Sequence, residues 1–260
     1  MQYETITWAL TDGVAEITMN RPENANALNA RMSDELFDAA CRSEAEGARA
    51  VILTGAGKMF NAGGDLAEFA GAANKADHVT RMATMMHAAL SRFAHMDAPL
   101  ITAVNGSAGG GGFSIALSGD IILASEKAKF VSAYTASGLS PDGSSTFYLA
   151  KHIGLLRAKE LMLTNRVLTA EEACAWGMVT RVVPADALMT EARKMAAQFA
   201  AGPTKAYGGV KRLLETAYSE SLETQLDKES RSIAAMMRTY DGPHGIASFL
   251  GKTKPEYRGE

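Results

Sequence analysis

Two short apolar runs, each stopped by glycine, constrain the fold more than any other feature of the chain. Ala48 to Thr54 leads into Gly55-Ala56-Gly57, and Leu100 to Val104 stops at Asn105-Gly106. Runs this short read as strands buried on both faces. Met32, Leu36, Phe37 and Ala40 recur at helical spacing up to Gly47, and a second helix is expected from roughly Asp77 to Met96. Strands alternating with helices imply crossover connections and a mostly parallel sheet, hence an α/β fold. Strand-like Ile121-Ile122-Leu123 and Phe130-Val131 continue the pattern after an apolar helical segment at Phe113 to Leu117. At the amino end, alternation broken by Thr11-Asp12-Gly13 predicts a β-hairpin. Beyond Pro184 only helices are expected, and the one from Ser221 to Arg238 carries Leu222, Leu226, Ile233 and Met237 along one stripe. That face needs a partner, and another subunit would supply it.

Composition narrows the function classes. The 260 residues hold 26 Lys plus Arg against 29 Asp plus Glu, a net charge of −3, which excludes holding a nucleic-acid backbone by bulk charge. A polyanionic ligand must therefore be met by a few local cations. Cys41 and Cys174 are too few for a disulfide framework or a zinc site and fit a reducing compartment. The amino terminus has no basic start or apolar signal core, and no apolar run approaches the roughly 18 residues that span a bilayer. The expectation is a cytoplasmic protein without a membrane anchor.

Glycine-rich segments carry the next signal. Gly55-Ala56-Gly57-Lys58 fails the dinucleotide fingerprint, because Phe60 stands where a third Gly is needed, and it fails the spacing of the nucleotide-triphosphate loop. It reads as a tight turn after a buried strand. Gly63-Gly64 and the four residues Gly109 to Gly112 are different, since consecutive glycines cost backbone entropy unless the backbone must approach something closely. Two readings stand: amides donating to a ligand at a helix start near Gly111, where the dipole favours negative charge, or a close helix-to-sheet crossing. His78, His87, His95, His152 and His244 are scattered without metal-ligand spacing and read as surface or interface residues. No Gly-x-Ser-x-Gly elbow exists. Thr169 to Glu172 has capping-box spacing, and Lys205, Lys211 and Arg212 read as a solvated basic face.

Four segments together resemble the crotonase superfamily, the enoyl-CoA hydratases and isomerases. They are the Arg21-Pro22 to Leu28 loop, Phe60 to Leu66, Asn105 to Gly112 followed by Asp120 to Ala124, and Leu168 to Val179, in order and over nearly the whole chain. The resemblance implies a ClpP/crotonase-like spiral of repeated ββα units over residues 1–195. A helical tail over 196–260 would then build a homotrimer or dimer of trimers. It implies an acyl-CoA thioester substrate whose carbonyl oxygen sits between the backbone amides matching Gly64 and Gly111. Coenzyme A is part of the substrate, and no separate cofactor, metal, nucleic acid or membrane partner is expected. Asn24, Ala25 and Ala27 match the adenine pocket, Ala62, Asp65 and Leu66 flank the pantetheine, and Phe249 and Lys252 match positions where a neighbouring subunit touches CoA. Gly64 replaces the more usual Ala, which an amide donor tolerates.

The chain departs from the family where hydratases place their two glutamates, which activate water and protonate the α-carbon. Those positions fall here at Ser114 and Tyr134, neither of which is a carboxylate. Ser114 reads as a small residue on a helix face and Tyr134 as a wall of the acyl pocket. The remaining carboxylate is Asp142 in Ser140-Pro141-Asp142-Gly143, where some double-bond-shifting members of the family place a single acid after this proline. The segment resembles the Δ3,Δ2-enoyl-CoA isomerases and the ring-epoxide isomerase of phenylacetyl-CoA breakdown. Asp142 is thus expected to move a proton from C2 to C4, and partial burial against the acyl chain would improve it as a base. As an Asp between Pro and Gly it also reads as a turn residue. The alternatives are a hydratase, another reaction of the family such as ring opening or dehalogenation with Asp142 and water or as nucleophile, and a CoA-ligand binder or assembly protein without activity.

Overall fold

A computed structural model describes residues 2–260. The chain opens with β1 (Ile6–Thr11) and β2 (Val14–Met19), an antiparallel hairpin. Its turn residues Asp12 and Gly13 both have positive φ, 51° and 76°, the mirror-image turn that matches strand twist. Then follow α1 (Ala30–Ala45), β3 (Ala50–Gly55), β4 (Met59–Asn61), α2 (Leu66–Gly71), α3 (Lys75–His95), β5 (Leu100–Val104), β6 (Ser107–Gly109) and α4 (Gly111–Leu117). The middle of the chain forms β7 (Ile121–Ser125), β8 (Lys129–Val131), α5 (Ser145–Ile153), α6 (Leu155–Thr164), β9 (Leu168–Thr169), α7 (Ala170–Ala175) and β10 (Arg181–Val183). The last elements are α8 (Leu188–Ala200), α9 (Thr204–Thr216), α10 (Leu222–Met236) and α11 (Asp241–Leu250).

Strands β1-β2-β3-β5-β7-β10 make one sheet and β4-β6-β8-β9 a second. The pairs β3/β4, β5/β6 and β7/β8 each leave one strand in either sheet, so the chain advances as a spiral of ββα turns. Every residue of β3 and β5 is buried, which is why these segments read as unbroken apolar runs rather than alternating ones. Their alternate side chains feed two cores. Val51, Leu53, Leu100 and Val104 join α1, α3 and α4 on one face, while Ala50, Ile52, Ile101 and Ala103 meet α8 on the other. The α8 residues Leu188, Ala192 and Ala196 form an i, i+4, i+8 stripe whose small side chains let the helix lie close on the sheet. Residue 195 falls inside α8, so the contact with the sheet continues past it.

The hairpin is tied to α1 by a carboxylate. Glu35 is fully buried, accepts from the Glu4 and Thr5 amides and the Thr5 hydroxyl, and forms an ion pair with the Arg31 guanidinium. Burial alone would raise its pKa, but these donors together hold it below the ordinary glutamate range. The basic face expected at Lys205, Lys211 and Arg212 does not exist as such. Lys211 is buried on Asp120 at 2.8 Å, and Lys205 and Arg212 both pair with Asp97, so these cations fasten α9 to the core. The capping box at Thr169 and Glu172 is present in both directions. The α10 stripe stays uncovered in the single chain, with Leu222 68% and Ile233 70% exposed. No helix among the described residues is long and apolar enough to cross a membrane.

Glu35→Gln is expected to cost about 1–3 kcal/mol of stability near neutral pH, as charge-assisted hydrogen bonds are lost. Because the folded pKa is depressed, the contribution is complete above the unfolded value near 4.3 and is lost as pH falls through the folded value. Urea melts of both proteins across that range should therefore converge at acid pH.

Candidate active site

The site begins with two buried asparagines. Residues Arg21 to Leu28 wrap back on themselves, with Ala25 and Asn26 in the left-handed region, and such a loop leaves backbone polar groups to be satisfied. Asn26 does this: its Oδ1 accepts from the Arg21 amide at 2.9 Å and its Nδ2 donates to the carbonyls of Ala56 and Met59, each at 2.8 Å. Asn61 at the end of β4 donates to the Asn26 carbonyl at 2.6 Å and accepts from the Gly63 amide at 2.7 Å. Both side chains are fully buried. Arg21 adds a clamp, donating to the Ala27 carbonyl and pairing with Asp65 at 3.1 Å.

This framework aims the Gly64 amide. Leu28 donates to the Gly63 carbonyl and accepts from the Asp65 amide, both at 2.7 Å, so it bridges the strand on either side of Gly64. In a parallel bridge of this kind the intervening N–H faces away from the partner. Gly111 is the first residue of α4, where an N–H has no acceptor within its own helix. Neither amide donates to a backbone carbonyl among the described residues. A Cβ on Gly111 would lie 3.8 Å from the Gly64 nitrogen, so the two donors are side by side. The approach of α4 to β4 requires glycine at 112, where a Cβ would stand 2.2 Å from the Asn61 carbonyl oxygen. Gly63 has φ +103° and its Cα is close to Gly110 and Gly111. The tight-crossing reading of the glycine run is therefore realised, and at its edge two amides have no backbone acceptor. Gly64 has a second consequence, since a Cβ there would meet the Phe69 ring at 2.6 Å.

The amides open into a cavity of about 450 Å³ walled by Leu28, Phe69, Met82, Met86, Tyr134 and Leu139, among others. Asp142 is the only carboxylate on its wall. Its side chain is partly buried, with 45% exposed, and its Oδ1 lies 2.6 Å from His87 Nε2 on α3. An ionised carboxylate only accepts, so the imidazole N–H donates. His87, read from the sequence as a surface or interface residue, is half-exposed as expected, and what the structure adds is its contact with Asp142. It follows directly after Met86 of the buried α3 face, and nothing local distinguishes it from a solvated histidine.

The two positions that lack glutamates are engaged in a different way. Ser114, fully buried, donates to the Asp142 carbonyl at 2.7 Å and lies 2.8 Å from the Tyr134 hydroxyl; Tyr134 and Ser145 reach the same carbonyl at 3.1 and 2.9 Å. Burial pushes the Tyr134 phenol up to about 12, with the Ser114 hydrogen bond opposing and the Asp142 charge adding to the rise. Tyr134 therefore stays a neutral donor that holds the Asp142 main chain.

Of the residues expected around CoA, Ala62 and Leu66 line the cavity with Gly64, Gly111, Tyr134 and Asp142. Ser114 does not line it, being covered by Tyr134 and Asp142. Asn24, Ala25 and Ala27 lie outside it, on the loop that the asparagines pin. Asp65 is engaged in structure, capping α2 by accepting from the Glu68 amide and holding Arg21. Phe249, 83% exposed, and Lys252 sit at the end of α11, outside the cavity of their own chain.

The family model for enoyl-CoA hydratase/isomerase matches residues 9–260. This chain belongs to the enoyl-CoA hydratase/isomerase family. It is 36% identical to the 1,2-epoxyphenylacetyl-CoA isomerase of Escherichia coli K12, over 95% of this chain and 96% of that one. To the 4-chlorobenzoyl coenzyme A dehalogenase-2 of an Arthrobacter species it is 37% identical, over 93% and 89%. The crystal structure of an enoyl-CoA hydratase from Bacillus anthracis superposes with a TM-score of 0.92 at 33% identity, covering 99% of this chain and all of that one. The chain is thus an enzyme of this family with a crotonase-type α/β fold, and activity of the hydratase/isomerase type follows.

Asn61→Ala removes the acceptor of the Gly63 amide and the donor to the loop. It is expected to cost about 1–3 kcal/mol of stability. Turnover of an accepted acyl-CoA should fall by about tenfold or more with KM nearly unchanged, because donor placement matters most in the transition state. Denaturant melts and steady-state kinetics on the same preparation check both.

Proposed function

We propose that this enzyme shifts the double bond of an enoyl-CoA thioester, with Asp142 as the single acid and base. The observation that carries the reading is the placement of one carboxylate on the wall of a pocket that also presents the two free amides of Gly64 and Gly111. The thioester oxygen accepts from both amides. Asp142 takes a proton from C2, the negative charge spreads onto that oxygen as a dienolate, and the same carboxyl returns the proton to C4. Each such donor is worth roughly 3–4 kcal/mol in the transition state. Tyr134, Ser114 and Ser145 fix the Asp142 backbone, and His87 orients its carboxylate. Addition of water by the usual two glutamates is unavailable at Ser114 and Tyr134. The steps draw on these side chains, the amides and the thioester itself, with CoA entering as part of the substrate.

His87 favours a second reading. A carboxylate beside an imidazole can also attack a halogen-bearing ring carbon as a nucleophile, releasing halide and forming an aryl ester. His87 would then deprotonate the water that cleaves that ester. The likeness to the Arthrobacter dehalogenase supports this version.

Incubation with 3-enoyl-CoA, followed by the absorbance of the conjugated product, is expected to show isomerisation. Asp142→Asn should lower kcat by about 10²–10⁴-fold, the usual contribution of a general acid–base group. A loss smaller than tenfold, or no shift by the wild type, refutes the mechanism. Halide release from 4-chlorobenzoyl-CoA without isomerisation selects the second reading.

The uncovered α10 stripe supports the proposal that the tail builds a homotrimer or dimer of trimers, bringing Phe249 and Lys252 to a neighbour's CoA. Light scattering should give three or six times the chain mass of 27.5 kDa. A stable monomer removes both the interface and the role of Lys252.

A further inference from the structure

The acyl pocket is not the only space that reaches Asp142. A second cavity of about 400 Å³ lies behind the Asp142–His87 pair, and the two cavities share His87, Pro141, Asp142 and Gly143 as lining. The pair is thus part of the partition between them. Their walls differ in what they offer to water. The acyl pocket is closed largely by apolar side chains such as Phe69, Met82, Met86 and Leu139, with a few hydroxyls, whereas the second cavity sets the ionisable groups His95 and Glu215, with Ser91 and Thr146, among apolar residues such as Leu90 and Phe147.

Three of the polar groups come from one face of α3. His87, Ser91 and His95 recur at i, i+4 and i+8, the spacing that stacks side chains along a helix. The Ser91 hydroxyl lies 3.5 Å from His95 Nδ1, and His95 Nε2 lies 3.3 Å from the Glu215 carboxylate on α9. His95 Nδ1 also lies 2.7 Å from the Ser91 carbonyl, so polar groups mark this face of α3 at each turn from the Asp142–His87 pair to α9. A cavity of about 400 Å³ has room for water, and these side chains offer it hydrogen-bond partners.

An acyl group bound at the Gly64 and Gly111 amides covers the pair from the pocket side only. We infer that the second cavity is the route by which water and protons reach the Asp142–His87 pair while the acyl pocket is occupied. Proton transfer operates directly or through one water, so a wet cavity behind the carboxylate lets the abstracted proton exchange with solvent before it is returned. In the hydrolytic version of the chemistry the same route delivers the attacking water.

The inference rests on Asp142 being the acid and base of the proposed reaction, and two readouts separate their failures. Isomerisation in D2O should leave solvent deuterium in most product molecules of the wild type. Ser91→Trp, and independently Thr146→Trp from α5, fill the second cavity from exposed positions. Each is expected to cut the deuterated fraction by about threefold or more, with the KM for acyl-CoA within about twofold of wild type. Equal deuterium content in wild type and both variants overturns the inference. The second readout needs no turnover: carbethoxylation of His87 by diethyl pyrocarbonate, mapped by peptide mass, with an unreactive thioether analogue of acyl-CoA in the pocket. His87 should stay reactive in the wild type and be protected in both variants. Protection by the analogue alone in the wild type overturns the inference. Reactivity that persists until Trp is introduced, in a protein that shifts no double bond, upholds the cavity and removes only the proposed reaction.

Discussion

The structure depends on pinning one irregular loop to the end of β4. Arg21 to Leu28 leaves β2, turns through two left-handed residues and meets the strand around Gly64 only at Leu28, so its buried part needs partners beyond its own turns. Asn26 and Asn61 meet that demand from fully buried positions, and the second of them also accepts from the Gly63 amide. A buried amide side chain left half-satisfied costs more than the net value of the bond it makes, so the loop, β4 and the Gly63–Gly64 backbone form one unit. The close seat of Gly112 on the Asn61 carbonyl then carries that unit to the start of α4. The geometry of the two free amides is inherited from this packing.

Asp142 is mounted on the same scaffold by different means. Three hydroxyls, from Ser114, Tyr134 and Ser145, converge on its main-chain carbonyl. Ser114 and Tyr134, where the family resemblance leads one to expect carboxylates, thus hold the main chain of Asp142. Its side chain is turned outward to His87, with nearly half of its surface free. Two carboxylates divide acid and base duties across a substrate; one carboxylate beside an imidazole suits chemistry in which a single group takes and returns a proton, or attacks and is then released.

Much of the fold was legible because its signals are local. The hairpin needs only Asp12-Gly13 between alternating strands, and β3 and β5 need only apolar runs too short for helices. α10 shows its stripe without reference to any neighbour. The short strands of the second sheet were not legible in the same way. β4, β6 and β9 are two or three residues long, and each is paired with a neighbouring strand over only two register positions, so their identity comes from the strand beside them. Lys211 is a similar case: as a sequence feature it is one more surface cation, and only the position of Asp120 makes it a buried partner.

By itself the sequence determined the α/β alternation, the glycines whose missing side chains permit the α4–β4 crossing, and the absence of carboxylates at positions 114 and 134. Each of these is a property of residue type or of spacing along one element. The tertiary structure alone decided that Asp142 faces His87, 55 positions away along the chain, that it stands half-exposed, and that a second cavity also borders it. Those facts depend on how α3 lies against the loop before α5. That orientation is set by the packing of Met86, Ala89, Leu90 and Phe93 in the core, which no local pattern around either residue encodes.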